Sequence, residues 1–285
     1  MVEEVAVPLD VRLRFGRAAV QVVADRVGAD LLHIKGNAVD PSLRTGGAGS
    51  DVDILVRPAH VTRLDQAIRQ EGWRLYSSFV YGSPFGHAQT YLHDAWGYLD
   101  LHRYFPGIRL DPTSAFEVLQ RGSGVIDDVG VPCRVPGTDA QVVLLILNAA
   151  RDVGGRRAEV ARLWGRASPE DRERLTRLVD ELRAGVAFAA ATGDLERHRG
   201  EPEYALWRAI SEGGSRSSEW WGRIRAASSV REVLTLVARA PRVNIEQLTH
   251  DLGREPTRGE VLHEFIRRQR RALADLRSLA WRRRT

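Results

Sequence analysis

The segment Asp51-Val52-Asp53-Ile54-Leu55-Val56 constrains this chain more than any other stretch. Side chains alternate across an extended strand, so Asp51 and Asp53 fall on one face and Val52, Ile54 and Val56 on the other. Such a strand needs an apolar layer behind it and an environment in front that tolerates two adjacent carboxylates. Neighbouring carboxylates resist joint ionisation unless a cation lies between them. Mg²⁺ takes one or two carboxylates together with phosphate oxygens and water, so a divalent-metal site fits this strand. Asp-x-Asp is also common on solvated edges, and its surroundings must decide between the two.

The rest of the chain can supply the apolar layer. Its 285 residues are 43% hydrophobic and include seven Trp, enough to bury a core and to exclude a disordered or fibrous chain. Helices are expected at residues 8–29, with Gly28 as the stop, and at 59–72, where Val61, Leu64, Ala67 and Ile68 share a face. Strands are expected at 31–35, 51–56, 73–80, 87–93 and 96–104, with a helix at 111–120 and a strand pair at 125–135. Beyond Pro136 strand signals nearly vanish, and helical patterns cover 137–150, 156–166, 169–192, 203–211, 229–240 and 257–281. The expected organisation is α+β: a mixed sheet with flanking helices over residues 1–135, then an all-helical domain over 136–285.

Charge and cysteine content narrow the setting. The net charge is +5, with residues 1–135 at −2 and the remainder at +7. The segment 265–285 alone holds eight Arg against one Asp, so the basic character belongs to the C-terminal end. One cysteine, Cys133, excludes an internal disulfide framework or a multi-cysteine metal site. There is no apolar run of the ~18 residues that a membrane span requires, and the acidic opening lacks a signal-peptide core. A cytoplasmic protein is expected.

Of the 42 basic residues, Lys35 is the only lysine. Drift toward Arg would leave one Lys by chance, or because a compact ammonium is wanted there instead of a planar fork. Lys35-Gly36-Asn37 ends the strand before Asp51. Glycine permits close backbone approach to a phosphate, and a following helical turn offers free N–H groups. The connecting loop carries Arg44 and Ser50, both suited to phosphate. A later strand carries Asp100, with Tyr98 and His102 on the same face. A third carboxylate on a neighbouring strand would complete a two-metal clamp for in-line attack at phosphorus and could take the proton of an attacking hydroxyl.

With these residues in view, the chain resembles the nucleotidyltransferase superfamily that shares the DNA polymerase β palm. Ile34-Lys35-Gly36-Asn37, thirteen residues, then Asp51-Val52-Asp53-Ile54 follow that pattern, at the upper end of its spacing. It is more closely similar to a bacterial branch, through Lys35-Gly36, Asp51 to Val56, Gly72-Trp73 and Leu99-Asp100-Leu101-His102. The resemblance covers roughly residues 30–105. Asn37 stands where the superfamily usually has Ser, and the helical half matches no motif. The resemblance implies a polymerase-β-like palm in which Asp51, Asp53 and Asp100 hold two Mg²⁺ ions. Asp100 would also help deprotonate the acceptor, and Lys35, Gly36, Asn37, Arg44 and Ser50 would contact the triphosphate. The donor would be an NTP, ATP by default. The acceptor would be a hydroxyl on a small molecule, peptide or protein, and pyrophosphate would be released. A nucleic-acid acceptor such as a tRNA end, approached through the basic C-terminal helix, and a non-catalytic nucleotide-binding scaffold are the alternatives.

Other residues admit two readings. His87 and His102 border the acceptor side or are structural, and His93 is structural or faces substrate. Arg151 reaches a phosphate or makes a helix-end ion pair. Trp220-Trp221 anchor a core or stack on a base. The helix at 257–281 has Leu262, Phe265, Ile266, Leu273, Leu276 and Ala280 on one stripe. It packs on its own domain, guides an acidic partner or nucleic acid, or lies on a membrane surface. No P-loop, Rossmann, zincin or nucleophile-elbow motif is present.

Overall fold

The computed structural model describes residues 7–44, 49–80, 85–152, 157–214, 222–226, 243–252 and 254–282. Helix α1 spans Leu9–Val27 and ends at Gly28, whose φ of +63° lies in the left-handed region that glycine adopts without strain. The Gly28 and Ala29 N–H groups then close the last carbonyls, those of Asp25 and Ala24, at 3.1 and 2.8 Å. Strand β1 (Leu31–His33) leads into two short 3₁₀ turns, Gly36–Ala38 and Pro41–Leu43. Strand β2 is Asp51–Val56, as its alternation predicts. Helix α2 (Val61–Gln70) buries Leu64, Ala67 and Ile68. Strands β3 (Arg74–Ser77), β4 (Ala88–His93) and β5 (Gly97–His102) follow, then helix α3 (Pro112–Gln120). Strands β6 (Gly124–Asp128) and β7 (Val131–Val135) form a separate hairpin.

The main sheet has the order β1-β2-β5-β4-β3. All its pairings are antiparallel except β2 with β5, which run parallel. A parallel pair cannot be joined by a tight hairpin, and here the crossover from β2 to β5 contains α2, β3 and β4. Behind the sheet, Leu13, Val20 and Ala24 of α1 and Leu64 and Ile68 of α2 pack on Val52, Ile54, Val56, Leu99 and Leu101. The apolar side of the Asp51–Val56 strand is thus the wall of the core, and the carboxylates face away from it.

Helix α4 is Thr138–Ala149, α5 is Arg157–Val160, α6 is Pro169–Glu181, α7 is Gly185–Thr192 and α8 is Tyr204–Ser211. Helices α9 (Ile245–Leu252) and α10 (Arg258–Arg282) come last. The periodicity predicts one helix over 169–192, but the structure breaks it. Arg183 adopts φ +52°, and the Leu182 carbonyl accepts from Arg109 and Leu110 N–H at 3.2 and 3.1 Å. The loop after β5 therefore caps α6, a tertiary contact that periodicity does not report. The helix expected at 229–240 and Trp220-Trp221 lie outside the described residues.

The chain falls into two compact units, Met1–Asn148 with Ala158–Gly185, and Ala149–Arg157 with Val186–Thr285. Residue 136 marks where strands end, while α4 and α6 remain with the sheet-bearing unit. Gln141 of α4 accepts the Asp40 N–H at 2.8 Å and donates to the Pro136 carbonyl at 2.7 Å. Within the second unit, Trp207 of α8 is buried with Leu206 and Ile210. On α10, Leu262, Phe265 and Ile266 are exposed, the first at 57%. Among the described residues, no helix is long and apolar enough to cross a membrane.

Candidate active site

Sheet register builds the site. On the parallel β2–β5 pair, Asp53 is opposite Asp100 and Asp51 is opposite Tyr98. The antiparallel partner on the other side of β5 places Thr90 opposite Asp100, and Thr90 Oγ1 donates to Asp100 Oδ1 at 2.6 Å. Beyond the end of β1, the Ile34 N–H donates to the Asp53 carbonyl at 3.1 Å. Lys35 therefore emerges beside β2. Its Nζ donates to Asp53 Oδ1 at 2.5 Å, and His102 Nε2 lies 2.7 Å from the same oxygen. His102 is 1% exposed. Its ring lies against that of His87, with centroids 5.0 Å apart, and stacks on that of Phe105 at 6.3 Å.

These contacts set the charge states. Burial opposes ionisation of Asp53, but the Lys35 ammonium and the His102 hydrogen bond outweigh it, holding the carboxyl well below its ordinary range. Asp100 goes the other way. Burial first, then the nearby Asp53 charge, push it up to about 6 against the Thr90 hydrogen bond. Asp51 is also raised, by burial and then by Asp53. Three carboxylates thus crowd one face of the sheet with one ammonium among them, the electrostatic condition that a divalent cation relieves. One donor atom each from Asp53, Asp100 and His102 lie within 4.8 Å of one another. That spacing, with oxygen donors and one imidazole, suits a divalent ion.

The phosphate candidates divide into two groups. Lys35 joins the carboxylates. Gly36 has φ +57°, and a Cβ placed on Gly49 would come 3.6 Å from the Gly36 Cα. The close approach of these two glycines brings the start of β2 against the Lys35-Gly36 turn. Ser50 Oγ is 3.5 Å from Asp51 Oδ1. Asn37 and Arg44 pair with each other instead, Nη1 donating to Oδ1 at 2.8 Å. They line a cavity of about 750 Å³ with Arg14, Arg17, Asp40 and Gln141, and none of Asp51, Asp53 and Asp100 borders it.

His87, read as bordering the acceptor side or as structural, is 2% exposed, with its ring centroid 5.0 Å from that of His102. His93 packs against Trp73 and Trp96. Arg151 falls in the second unit. Thr90 is the site residue that sequence reading passes over. Its only signal is a hydroxyl on the same strand face as the Asp100 partner position, visible once the β4–β5 register is known.

No family model and no curated protein matches the chain. Among solved structures, it is similar to the lincomycin-bound lincosamide antibiotic adenylyltransferase LnuA at 12% identity and a TM-score of 0.33, over 56% of this chain and 92% of that one. It is also similar to an antigenic nucleotidyltransferase-like protein from Paracoccidioides brasiliensis at 13% identity and a TM-score of 0.37, over 70% of this chain and 93% of that one. The chemistry rests on the residues gathered around Asp53.

Proposed function

We propose that the chain is a divalent-metal-dependent nucleotidyltransferase, moving a nucleoside monophosphate from a nucleoside triphosphate to a hydroxyl and releasing pyrophosphate. The observation that carries this reading is the register of Asp53 against Asp100 on parallel neighbouring strands, with Asp51 on the same face and Lys35 bonded to Asp53. Asp51, Asp53 and Asp100 are the residues that would hold two Mg²⁺ ions. Those ions supply charge stabilisation at the reacting phosphoryl group and its leaving oxygen.

The chain's own residues have separate tasks. The acceptor oxygen attacks the α-phosphorus, the bond to the bridging oxygen breaks, and the β- and γ-phosphates leave together. Asp100 takes the hydroxyl proton on its carboxylate. Lys35, with the Gly36 turn and Ser50, binds the triphosphate, while Asn37 and Arg44 pair beside the separate cavity. His102 is a positioning residue that fixes the Asp53 carboxylate from a buried wedge. ATP is taken as the donor on abundance, with a small molecule, peptide or protein as acceptor.

Calorimetry with each of the four NTPs, with and without Mg²⁺, beside an Asp51→Asn/Asp53→Asn variant tests the reading. Metal-dependent binding that the variant loses is expected. Binding of no NTP under any condition would overturn it.

A further inference from the structure

Lys35 occupies an unusual place for a phosphate-binding lysine. Its Nζ is 2.5 Å from Asp53 Oδ1 and 3.5 Å from His102 Nε2, and its side chain is only 18% exposed. Asp53 and His102 are two of the three residues whose donor atoms converge to within 4.8 Å. The ammonium therefore engages Asp53, a carboxylate that would receive a divalent ion, and lies beside the histidine that positions it. A divalent charge on Asp53 and an ammonium still bonded to the same carboxylate would repel at contact distance, in surroundings too dry to screen them. The two cations compete for one carboxylate.

A triphosphate resolves the competition, because it offers the ammonium a second anionic partner and brings a divalent ion with it. Lys35 immediately precedes the Gly36–Ala38 turn, so its flexible stem can turn from Asp53 toward that turn without moving the strand. The residue type supports the exchange. Every other strong base in the chain is an arginine, and a guanidinium would grip the carboxylate with a two-pronged fork where an ammonium holds by one atom. We propose that Lys35 is an internal counterion that keeps the metal position closed until a nucleotide draws its ammonium away, so that metal and nucleotide enter together. This rests on the nucleotidyltransferase reading and adds a binding order to it.

The test measures Mn²⁺ binding to the full chain by the free-ion electron spin resonance signal, with and without a non-hydrolysable ATP analogue. Wild type, Lys35→Met and Lys35→Gln are compared, with thermal unfolding of each to confirm folding. In wild type the analogue is expected to tighten Mn²⁺ binding at least tenfold. Without nucleotide, both variants are expected to bind Mn²⁺ at least tenfold more tightly than wild type, yet to bind the metal–analogue complex more weakly. These opposite signs separate an internal competitor from a residue that merely supports the site, since loss of a support weakens both affinities. Folded variants that bind Mn²⁺ no more tightly than wild type would overturn the proposal. If the variants do not fold, absence of the tenfold coupling in wild type overturns it alone. Failure of wild type to bind Mn²⁺ or the analogue in any combination would instead overturn the nucleotidyltransferase reading beneath it.

Discussion

Asp53 and Asp100 lie opposite each other on parallel neighbouring strands, and their environments drive them apart, Asp53 held ionised and Asp100 pushed toward neutrality. The asymmetry comes from their partners. Lys35 and His102 both engage Asp53, whereas Asp100 has the Thr90 hydroxyl and two neighbouring negative charges.

Neutralising the two residues should therefore have opposite effects on stability and the same effect on activity. Asp100→Asn is expected to raise the unfolding free energy of the chelator-treated protein at pH 7 by about 1–3 kcal/mol, because a destabilised carboxylate is removed. Asp53→Asn should lower it by roughly 3 kcal/mol by leaving Lys35 without its ion partner in a mostly buried position. Both should reduce metal-dependent pyrophosphate release by roughly 10²-fold or more. Urea unfolding in EDTA reads the stabilities, and two shifts of the same sign would contradict this electrostatic account.

His33 makes stability depend on pH. It is fully buried in β1, with Nε2 3.1 Å from Gln21 Oε1, so the neutral ring donates to the amide oxygen. Burial, then the Arg17 charge, lower its pKa to about 3. In the unfolded chain it titrates near 6.5. The unfolded state therefore binds more protons between these values, and the His33 contribution is complete above about pH 6.5 and is lost as pH falls toward 3. Between pH 7 and 5 wild type should lose about 2 kcal/mol more than His33→Gln. Denaturation curves that shift in parallel for the two proteins would show that His33 is not the titrating group.

A buried ion pair clips the hairpin to α1. Arg17 Nε lies 2.5 Å from Asp128 Oδ2 and Arg17 Nη2 lies 3.0 Å from Oδ1, with both side chains 4% exposed. Asp128→Ala strands the guanidinium in the interior and is expected to cost about 3–5 kcal/mol. Replacing both partners together, as Arg17→Met/Asp128→Leu, should cost less than the single change. A double-mutant cycle in urea checks it, and an additive cycle would remove the pair's assigned role.

Val129 holds φ +52° at the tip of that hairpin, followed by Gly130 at φ +86°. Two successive positive φ angles are the geometry that Asn-Gly adopts readily and that a β-branched residue resists. Val129→Asn is expected to stabilise the protein by about 1 kcal/mol. Val129 is exposed, so no core packing is lost. An unchanged or lowered melting temperature would refute this.

Sequence alone determined the pieces whose cause is local. The two-residue alternation of Asp51 to Val56 defined β2 and its carboxylate face, and Gly28 stopped α1 where it stands. The same alternation put Asp100 and His102 on one face of β5, and the lone lysine drew attention to Lys35. Tertiary structure decided the rest, because strand order and pairing are contacts between distant segments that no local pattern encodes. Only the parallel β2–β5 register brought Asp100 to Asp53. Only the path of β1 turned Lys35 onto a carboxylate, while Asn37 and Arg44 paired beside a separate cavity. The split of the expected 169–192 helix has the same origin, a backbone cap on Leu182 from a loop far earlier in the chain.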